Sequence, residues 1–231
     1  SSVSANTTAG FSIVSYTGSG TASDTVGHGL GVTPAMIIVK NRTEATSWCV
    51  AHKSLSTDKV LRLESTNAEG DIGDGELDSP PNNSSTFGFN NGTTGTPLKV
   101  VNESSDNYIA YCFAEKQGYS KFGSYVGNGV DGNNSFVYLG FAPSFVMIKN
   151  SSSASTNWIM ADNKRPGFNP ENRNVLRANL SDAEITSSSR TIDFLSNGFK
   201  ARGLSVGASG DTYIYMAFAE APFVSSGGIP T

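Results

Sequence analysis

The sequence contains few of the side chains on which most catalytic centres depend. It has only two histidines, His28 and His52, and only 16% of its 231 residues are charged. A serine nucleophile with a histidine base would have to use one of these two histidines. The second half of the chain, which repeats the first as described below, retains neither of them. We therefore expect no enzymatic activity and no cofactor, with His28 fixing a turn at the start of a strand and His52 lying on a strand.

Positive charge and long apolar runs are also scarce. The net charge is −4 at pH 7 and the chain has no basic stripe, so little is available for the counterion release that drives nucleic-acid binding. No run approaches the about eighteen apolar residues that a membrane helix requires. These absences argue against a nucleic-acid binder and against membrane insertion. Because the chain begins with Ser1 rather than Met, we expect a processed product or a fragment.

Aromatic residues and uncharged polar residues make up much of what is present. Hydrophobic residues are only 37% of the chain and glycines number 25, but 13 Phe, 8 Tyr and 2 Trp can fill cores. A disordered chain of similar polarity would lack these aromatic residues. Polar loops around aromatic-rich strands predict an exposed protein with many β-strands.

The chain contains an internal repeat with a period of roughly one hundred residues. The segment Gly31–Asn41 recurs as Gly140–Asn150, and Tyr108–Glu115 recurs as Tyr213–Glu220. This period is much longer than one turn of a solenoid, so the copies are two tandem domains, each large enough for one small core. The strand patterns recur whereas the polar segments between them vary, which is typical of a repeated scaffold.

The pattern within each copy predicts strands that surround a buried interior. Continuous apolar runs follow Pro34 and Pro143, where a proline does not interrupt the hydrogen bonding of a strand. Trp48 and Trp158 are matched and lie in alternating apolar segments, which favours core packing over an exposed platform for sugars. Apart from one expected helical turn over 181–185, helix signals are absent. We predict an all-β fold of two tandem β-sandwich, jelly-roll-like repeats.

The domain boundaries follow from the repeat and from local composition. We expect an N-terminal arm over 1–9, β-sandwich repeats over 10–117 and 118–223, and an extended Ser/Gly/Pro-rich tail over 224–231. The arm and the tail have no core of their own, so we expect them to need a partner to become ordered.

The two cysteines can be compared with their counterparts in the other copy. Cys49 corresponds to Ile159, and Cys112 corresponds to Ala217. Apolar counterparts of small or medium size are typical of buried free thiols. A disulfide remains an alternative only if the two strands are neighbours. We predict buried, reduced thiols.

One acidic segment is a weak candidate for a calcium site. Asp71, Asp74, Glu76 and Asp78 alternate with glycines, and glycine-bent loops rich in carboxylates can hold calcium. Their spacing does not complete the loop of an EF-hand. We therefore expect a solvated acidic loop and no bound metal.

Glu115 and Glu220 occupy matched positions at the ends of equivalent strands. Glycoside hydrolysis requires two carboxylates across one cleft, whereas these two lie one in each copy. A symmetric structural role is simpler, either a salt bridge or a cap on the edge of a strand.

The turn-rich loop Gly127–Asn134 offers the best candidates for surface contacts. Asn128, Asp131 and Asn133 carry polar groups in a glycine-rich segment, and Tyr138 follows on the next apolar segment. We predict that these four residues contact a ligand.

Six blocks of the sequence together resemble a tandem repeat domain of the structural and tail-fibre-like proteins of tailed phages, common in marine phages. The blocks are Gly27–Lys40, Trp48–Leu55, Tyr108–Glu115, Gly118–Gly129, Ile192–Lys200 and Tyr213–Glu220. The resemblance covers nearly the whole chain and implies a component of the virion surface, often placed near lectin-like domains. It supplies no catalytic residues. In such proteins an N-terminal region normally holds the assembly or attachment module, and the resemblance leads us to expect that this sequence lacks that region.

These observations favour a non-enzymatic virion protein, either a tail fibre or an exterior capsid decoration, that exposes polar loops at the virion surface to a host glycan. We expect it to contact other virion proteins and to form a homo-oligomer, a trimer, because weak glycan contacts gain from multivalency. Ala110, Cys112 and Ala114, the small face of one strand, are the expected oligomer contact. The alternative function is a carbohydrate-binding module of a secreted bacterial protein, and a hydrolase or depolymerase ranks last.

Overall fold

Strands account for nearly all of the regular structure of this protein. The computed structural model describes residues 1–71, 76–90, 99–165, 169 and 173–220. Within these residues the chain forms nineteen β-strands and two short 3₁₀ turns. The predicted all-β fold is confirmed. No helix in the described part of the chain has the length and hydrophobicity to cross a membrane.

The chain divides into two units. The first contains Ser1–Ser65 and Glu69–Glu115, and the second contains Thr66–Ala68 and the chain from Lys116 onwards. Each unit is a β-sandwich that has one large sheet and one small sheet.

The first unit contains ten strands, all paired in antiparallel fashion within the described residues. Their bounds are β1 (Ser2–Asn6), β2 (Phe11–Thr17), β3 (Thr25–Gly27), β4 (Met36–Asn41), β5 (Trp48–His52), β6 (Lys59–Arg62), β7 (Gly70–Asp71), β8 (Glu76–Leu77), β9 (Thr86–Asn90) and β10 (Asn107–Phe113). The large sheet has the order β1-β2-β10-β4-β5-β6-β7, and the small sheet has the order β3-β9-β8.

The core of the first unit lies between its two sheets. Along β2 every second residue points inward, as the period of a strand requires, and Val14 and Tyr16 are buried. These side chains belong to one hydrophobic cluster with Phe87 and Phe89 of β9. β4 is buried along almost its whole length, and β10 and β5 flank it in the large sheet. This arrangement confirms the central strand predicted after Pro34.

The second unit contains nine strands in the described residues. Their bounds are β11 (Ser120–Val126), β12 (Phe136–Tyr138), β13 (Phe145–Asn150), β14 (Ile159–Asp162), β15 (Arg173–Arg177), β16 (Ile185–Ser187), β17 (Ile192–Leu195), β18 (Gly198–Ala201) and β19 (Thr212–Phe218). The large sheet has the order β11-β19-β13-β14-β15-β16, the small sheet has the order β12-β18-β17, and the 3₁₀ turns are Ser188–Arg190 and Leu204–Val206. β13, which follows Pro143, lies between β19 and β14 as β4 lies between β10 and β5.

The two copies share hydrogen bonds as well as sequence. The hydroxyl of Tyr16 donates to the carbonyl oxygen of Val101 at 2.6 Å. In the second unit the hydroxyl of Tyr125 donates to the carbonyl oxygen of Val206 at 2.6 Å. Burial raises the pKa of both tyrosines well above their usual value of 10. Tertiary contacts of the same kind therefore stabilise both sandwiches.

The matched tryptophans differ in their burial. Trp158 is only 1% exposed, which confirms its predicted place in the interior, whereas Trp48 is only half-buried. Lys40 lies opposite Trp48 across β4 and β5, with its Nζ 6.0 Å from the centre of the indole ring. The same Nζ donates to the carbonyl oxygen of Thr46 at 2.6 Å. The prediction of core packing is therefore only partly right for Trp48, because a cation at the sheet surface lies against its ring.

Lys149, which corresponds to Lys40, is completely buried. Its Nζ donates to the carbonyl oxygen of Asn150 and the hydroxyl of Thr156, both at 2.8 Å, and to the carbonyl oxygen of Thr66 at 3.4 Å. Three oxygen atoms match the three donors of an ammonium group. Burial nevertheless lowers the pKa of Lys149 to about 8, because the charged form loses its hydration.

Cys49 and Cys112 are both buried and unbridged, as predicted. They lie on β5 and β10, and β4 separates these two strands. Two strand spacings place the cysteines about 10 Å apart, which is beyond the reach of a disulfide. Burial raises the pKa of Cys112 to about 12.

The small strand face expected to hold an oligomer together faces inward instead. Ala110, Cys112 and Ala114 all belong to the hydrophobic core of the first unit. The large side chains on the opposite face of β10 are the more exposed ones. This face is therefore unavailable to a second copy, and its expected role as an oligomer contact is wrong. Small side chains are needed there because the other sheet packs against them.

Residues 1–9 do not form a free arm. They contain β1, which pairs with β2 from Ser2 opposite Ser15 to Asn6 opposite Phe11. All five residues of β1 are exposed, so backbone pairing with its hairpin partner, rather than a core, orders this segment. The expected tail over 224–231 lies outside the described residues.

The helical turn expected over 181–185 does not form. The acidic residues of this segment are engaged in ion pairs instead, Asp182 with Arg177 and Glu184 with Arg165. Arg177 ends the preceding strand β15 and Arg165 lies 19 residues before Glu184, so both acidic side chains are held by partners outside the expected turn. The segment connects β15 to β16 without regular structure before residue 185.

Candidate functional site

The first strands of the two small sheets, β3 and β12, occupy equivalent places. Each is three residues long and has a central valine that pairs with a phenylalanine, Val26 with Phe87 and Val137 with Phe199. Both phenylalanines belong to the core of their unit. Since side chains alternate along a strand, the residues on either side of each valine point toward the outer face of the sheet.

These outward positions carry small residues in the first unit and aromatic residues in the second. β3 has Thr25 and Gly27, whereas β12 has Phe136 and Tyr138. Phe136 is 48% exposed and Tyr138 is 60% exposed, although large aromatic side chains are normally mostly buried. The first unit forms the same sheet without these rings, so the scaffold does not require them. Two exposed rings on one strand are typical of a binding surface.

Phe136 lies over the neighbouring strand of its sheet. Its Cε2 atom is only 3.2 Å from the point where a β-carbon at Gly198 would lie. That β-carbon would also overlap the carbonyl oxygen of Val137. Glycine at position 198 therefore makes room both for the ring and for the close pairing of β12 with β18.

Lys121 of β11 holds Tyr138 in place. Its Nζ donates to the carbonyl oxygen of Tyr138 at 2.9 Å and lies 5.3 Å from the centre of the tyrosine ring. This distance is within the range of a cation–π contact. Because β11 and β12 belong to different sheets, the contact links the two layers of the sandwich at the exposed ring.

Polar side chains continue this surface along β18. Lys200 lies opposite Phe136 in the sheet, and its Nζ donates to Oδ1 of Asn133 at 2.7 Å. Arg202 follows two residues later, so an extended chain places its side chain on the same side as that of Lys200. A row of aromatic and then cationic groups therefore runs along the outer face of the small sheet.

A polar cavity of about 220 Å³ lies at the end of this row. Asp131, Gly132, Ser188, Thr191 and Arg202 line it. Backbone hydrogen bonds hold its walls together. The amide of Gly132 donates to the carbonyl oxygen of Arg202 at 2.9 Å, and the amide of Arg202 donates to the carbonyl oxygen of Thr191 at 2.8 Å. The outer face of β12 and β18 together with this cavity is named the outer-face site below.

The structure brings three of the four predicted contact residues to the outer-face site. Asp131 lines the cavity, Asn133 binds Lys200, and Tyr138 is one of the exposed rings. Asn128 is different, because its side-chain amide donates to the carbonyl oxygen of Asn133 at 3.1 Å and accepts from the amide of Val130 at 2.8 Å. Asn128 therefore shapes the loop from within.

Both histidines have structural roles in the first unit. His28 is buried, its Nδ1 accepts from the amide of Leu30 at 3.2 Å, and its Nε2 lies 3.3 Å from the carbonyl oxygen of Asn83. An accepting Nδ1 leaves the proton on Nε2, which then donates to Asn83. Burial lowers the pKa of His28, which also favours this neutral form. His52 is buried as well, and its Nδ1 accepts from the amide of Ser54 at 3.1 Å.

One sequence motif invites a catalytic reading that the structure does not support. Gly203-Leu204-Ser205-Val206-Gly207 matches the pattern that surrounds the nucleophile of α/β-hydrolases. That pattern requires a strand, a sharp turn and a helix, whereas Ser205 lies on a 3₁₀ turn. Its hydroxyl lies 3.3 Å from that of Ser189, and the second unit contains no histidine.

The matched acids form ion pairs, which is the first of the two structural roles considered for them. Glu115 pairs with Lys53 at 2.6 Å, and Glu220 pairs with Lys164 at 2.5 Å. The ion pair with Lys164 lowers the pKa of Glu220. Each glutamate therefore joins the end of its strand to the segment after the next strand but one in the same sheet.

The acidic segment proposed as a weak calcium candidate is only partly described. Asp74 lies outside the described residues, and the side chains of Asp71 and Glu76 also lie outside them. Burial, and then the charge of Asp58, raise the pKa of Asp78. No group of three potential metal ligands is found in the part of the chain that the structure describes.

The sequence matches the model of one protein family over residues 1–222, and that family is described as a domain of unknown function, DUF7483. The chain belongs to this family. This one family model covers both copies of the repeat. Neither the curated proteins nor the solved structures gave a match.

In this DUF7483 domain, sequence reasoning missed the residues that complete the outer-face site. Phe136, Lys200 and Arg202 were not among the predicted contacts. A signal for Phe136 was present, because Phe136-Val137-Tyr138 alternates in the way expected of a strand with one exposed face. Lys200 and Arg202 lie some 70 residues further along the chain, and only the pairing of β12 with β18 places them beside the loop.

Proposed function

We propose that this chain is a non-enzymatic structural protein of a phage virion, a tail fibre or an exterior capsid decoration, and that its outer-face site contacts a glycan on the host surface. The observation that carries the proposal is the pair of exposed rings of Phe136 and Tyr138. The equivalent strand of the other copy has Thr25 and Gly27 at these positions, so the rings serve something other than folding.

The chemistry of the outer-face site fits a sugar chain. Aromatic rings offer flat apolar surfaces on which the apolar faces of pyranose rings can stack. Lys200 and Asn133 lie beside the rings and offer donors and acceptors for hydroxyl groups. A few polar groups around an apolar surface are the usual composition of a site for a small organic ligand.

The arrangement of carboxylates favours binding over hydrolysis. Glycoside hydrolases place two carboxyl groups on opposite sides of the bond that they cleave. Asp131 is the one carboxylate among the residues that line the cavity, as far as the structure describes it. The duplicated sandwich, in which loops and exposed rings vary on a repeated scaffold, also fits a structural protein of the virion surface.

We further propose that the protein works as a homo-oligomer, a trimer, in contact with other virion proteins. A single shallow site binds a glycan weakly, and several copies on one particle raise the effective affinity through multivalency. Sedimentation velocity of the purified chain tests this proposal. A monodisperse monomer at high concentration that is also solitary in the particle contradicts it.

A carbohydrate-binding module of a secreted bacterial protein is the second candidate, and the same exposed rings favour it. The two candidates differ in where the chain is found. Antibody labelling of purified particles in the electron microscope should place the chain on a tail or on the capsid exterior. Its absence from particles, together with recovery from bacterial culture medium, favours the secreted module.

Glycan contact itself is tested with the purified chain. Binding of the chain to intact host cells and to a glycan array is measured for the native protein and for the variants Phe136→Ala and Tyr138→Ala. Loss of one stacked ring should weaken binding by about tenfold. Leu180→Ala is the matched control, because Leu180 is 42% exposed in the same unit but lies outside the small sheet. Equal binding by all four proteins, or no binding by any, overturns the proposal.

A further inference from the structure

We propose that the cavity between Asp131 and Arg202 is a subsite for one neutral sugar ring, recognised through two adjacent hydroxyl groups. This inference rests on the proposed function and names the class of ligand that the outer-face site takes. It is carried by the cavity, by the chemistry of its two charged residues and by its position at the end of the aromatic row.

The two charged side chains of the cavity are both available to a ligand. No ion pair or hydrogen bond engages the carboxylate of Asp131 among the described residues. Arg202 lies 3.6 Å from Asp193, measured from NH1 to Oδ1, which is too long for a hydrogen bond. The contact orients the guanidinium and leaves its N–H groups for another partner. Ser188 adds an exposed hydroxyl to the wall.

The volume of the cavity fits a single ring. The cavity has a volume of about 220 Å³, whereas sites for larger, drug-sized ligands start at about 300 Å³. A hexose ring that enters the cavity replaces the hydrogen bonds that water would make there with those of its own hydroxyl groups.

The charges in the cavity favour a neutral ligand with mixed hydrogen-bonding groups. An anionic sugar would bring its carboxylate toward that of Asp131, and a cationic ligand would face the guanidinium of Arg202, so each would meet one like charge. Adjacent hydroxyl groups avoid both conflicts, because one hydroxyl donates to the carboxylate while the other accepts from the guanidinium. Hydrogen bonds to ionised groups are the stronger ones, so this pair of contacts would dominate recognition.

The cavity continues directly into the aromatic row. Arg202 lies two residues from Lys200, Lys200 lies opposite Phe136, and Gly198 lies opposite Tyr138. Two residues of a strand span about 7 Å, so each step along the row is slightly longer than one sugar ring. A glycan whose terminal ring occupies the cavity would pass over Phe136 and then reach Tyr138.

The test measures binding of single methyl glycosides to the purified chain by titration calorimetry and by NMR. The probes are the methyl glycosides of neutral hexoses, of an N-acetylhexosamine and of a uronic acid. We expect a neutral hexoside to bind, and Asp131→Asn and Arg202→Gln each to weaken it by about tenfold or more. Arg202→Lys should have an intermediate effect, since it keeps the charge but loses the paired donors.

Matched controls separate this site from general effects of charge. Asp24→Asn and Arg42→Gln make the same charge changes at exposed positions of the first unit, and they should leave binding unchanged. Thermal unfolding of every variant shows that the fold is retained. The inference is overturned if the uronic acid binds more tightly than every neutral hexoside, or if the cavity variants bind as well as the controls.

The results also distinguish failure of the subsite from failure of the proposed function. If the cavity variants bind the neutral hexosides like native protein while Phe136→Ala still weakens attachment to host cells, the subsite is wrong and the proposed function stands. If no glycan binds and Phe136→Ala attaches like the native protein, both are overturned.

Discussion

Asn102 in the first unit and Asn134 in the second unit accept equivalent hydrogen bonds from the backbone, although the two asparagines do not occupy matching positions of the repeat. In the first unit, Oδ1 of Asn102 accepts a hydrogen bond from the amide of Ser19 at 3.0 Å. In the second unit, Oδ1 of Asn134 accepts one from the amide of Asn128 at 3.0 Å. Ser19 and Asn128 occupy the same position in the loop that follows the first long strand of each unit. Both asparagines are buried.

A glycine in the second unit allows Asn134 to take the place that the side chain of Asn102 has in the first unit. The amide of Gly129 donates to the carbonyl oxygen of Gly207. In the first unit the amide of Gly20 donates to the carbonyl oxygen of Asn102, so Gly207 is the counterpart of Asn102. A β-carbon at Gly207 would overlap the side-chain amide of Asn134. The missing side chain therefore leaves the space that Asn134 fills, and Nδ2 of Asn134 donates to the carbonyl oxygen of Gly207 at 2.6 Å.

The contact between Asn134 and Gly207 predicts a pair of substitutions that compensate for each other. Asn134→Ala should lower the free energy of unfolding by about 1–3 kcal/mol, because it removes hydrogen bonds from buried backbone groups. Gly207→Asn alone should also destabilise, through overlap with Asn134. The double variant should be more stable than the sum of the two single effects, because it restores the arrangement of the first unit. Chemical denaturation measures all three, and simple additivity in the double variant contradicts the interpretation.

Lys149 predicts a dependence of stability on pH. The pKa of Lys149 is about 8 in the folded state and about 10.5 in the unfolded state. Between these values the unfolded state binds more protons, so the free energy of unfolding should rise with pH. The gain should reach at most about 3 kcal/mol and should be complete near pH 10.5, and below pH 8 the full penalty of the buried charge remains.

Two variants isolate this effect from other titrations. The buried tyrosines Tyr16 and Tyr125 act in the opposite sense above pH 10, because the unfolded state loses their protons first. The difference in stability between native protein and Lys149→Met cancels these contributions and should change between pH 8 and 10.5. Lys40→Met, at the matched half-buried position, is the control. A pH-independent difference for Lys149→Met contradicts the assignment.

In each unit a buried asparagine amide donates to an aspartate carboxylate, and this pair predicts strong coupling in unfolding experiments. Asn41 donates to Oδ2 of Asp106 at 2.8 Å, and Asn150 donates to Oδ2 of Asp211 at 2.7 Å. Asn41→Ala should lower the free energy of unfolding by about 1–3 kcal/mol, because it leaves a buried carboxylate oxygen without this donor. Asn41→Ala with Asp106→Ala should cost less than the sum of the single effects. Additive effects across this double-mutant cycle would show that the pair is not coupled.

The cysteines predict a simple labelling experiment. Both thiols are buried, and burial raises the pKa of Cys112 to about 12, so little thiolate forms near neutral pH. A thiol reagent should modify neither cysteine in the native protein and both after denaturation without reductant. Rapid labelling of the native protein would show an exposed site, and absence of labelling after denaturation would show a disulfide.

Local patterns were enough to predict the architecture of this protein. The recurrence of Gly31–Asn41 as Gly140–Asn150 predicts a duplicated β fold, and buried β4 and β13 follow from their continuous apolar runs. The comparison of Cys49 with Ile159 predicts a buried thiol. These inferences succeed because the hydrophobic pattern of a strand and the volume of a core position are properties of a few neighbouring residues.

The errors occurred where distant residues decide the outcome. The side chains of Ala110 and Cys112 are small because a second sheet packs against them, not because a partner does. Residues 1–9 lack a core, yet β1 is ordered by pairing with β2. The segment 181–185 has the polar residues of a helix start, but its acidic side chains pair with arginines that lie outside the segment.

The sequence by itself determined the fold class, the duplication, the buried thiols and the matched positions of Glu115 and Glu220, because alternation and repetition are written along the chain. The tertiary structure alone decided that Lys200 and Arg202 lie beside the predicted residues at the outer-face site. Phe136 and Tyr138 are exposed because they lie on the outer face of the small sheet, opposite the core-facing Val137, and Arg202 lies beside Asp131 because β18 pairs with β12. Such pairing joins residues far apart in sequence through backbone hydrogen bonds, and no local pattern encodes which strand will be the neighbour.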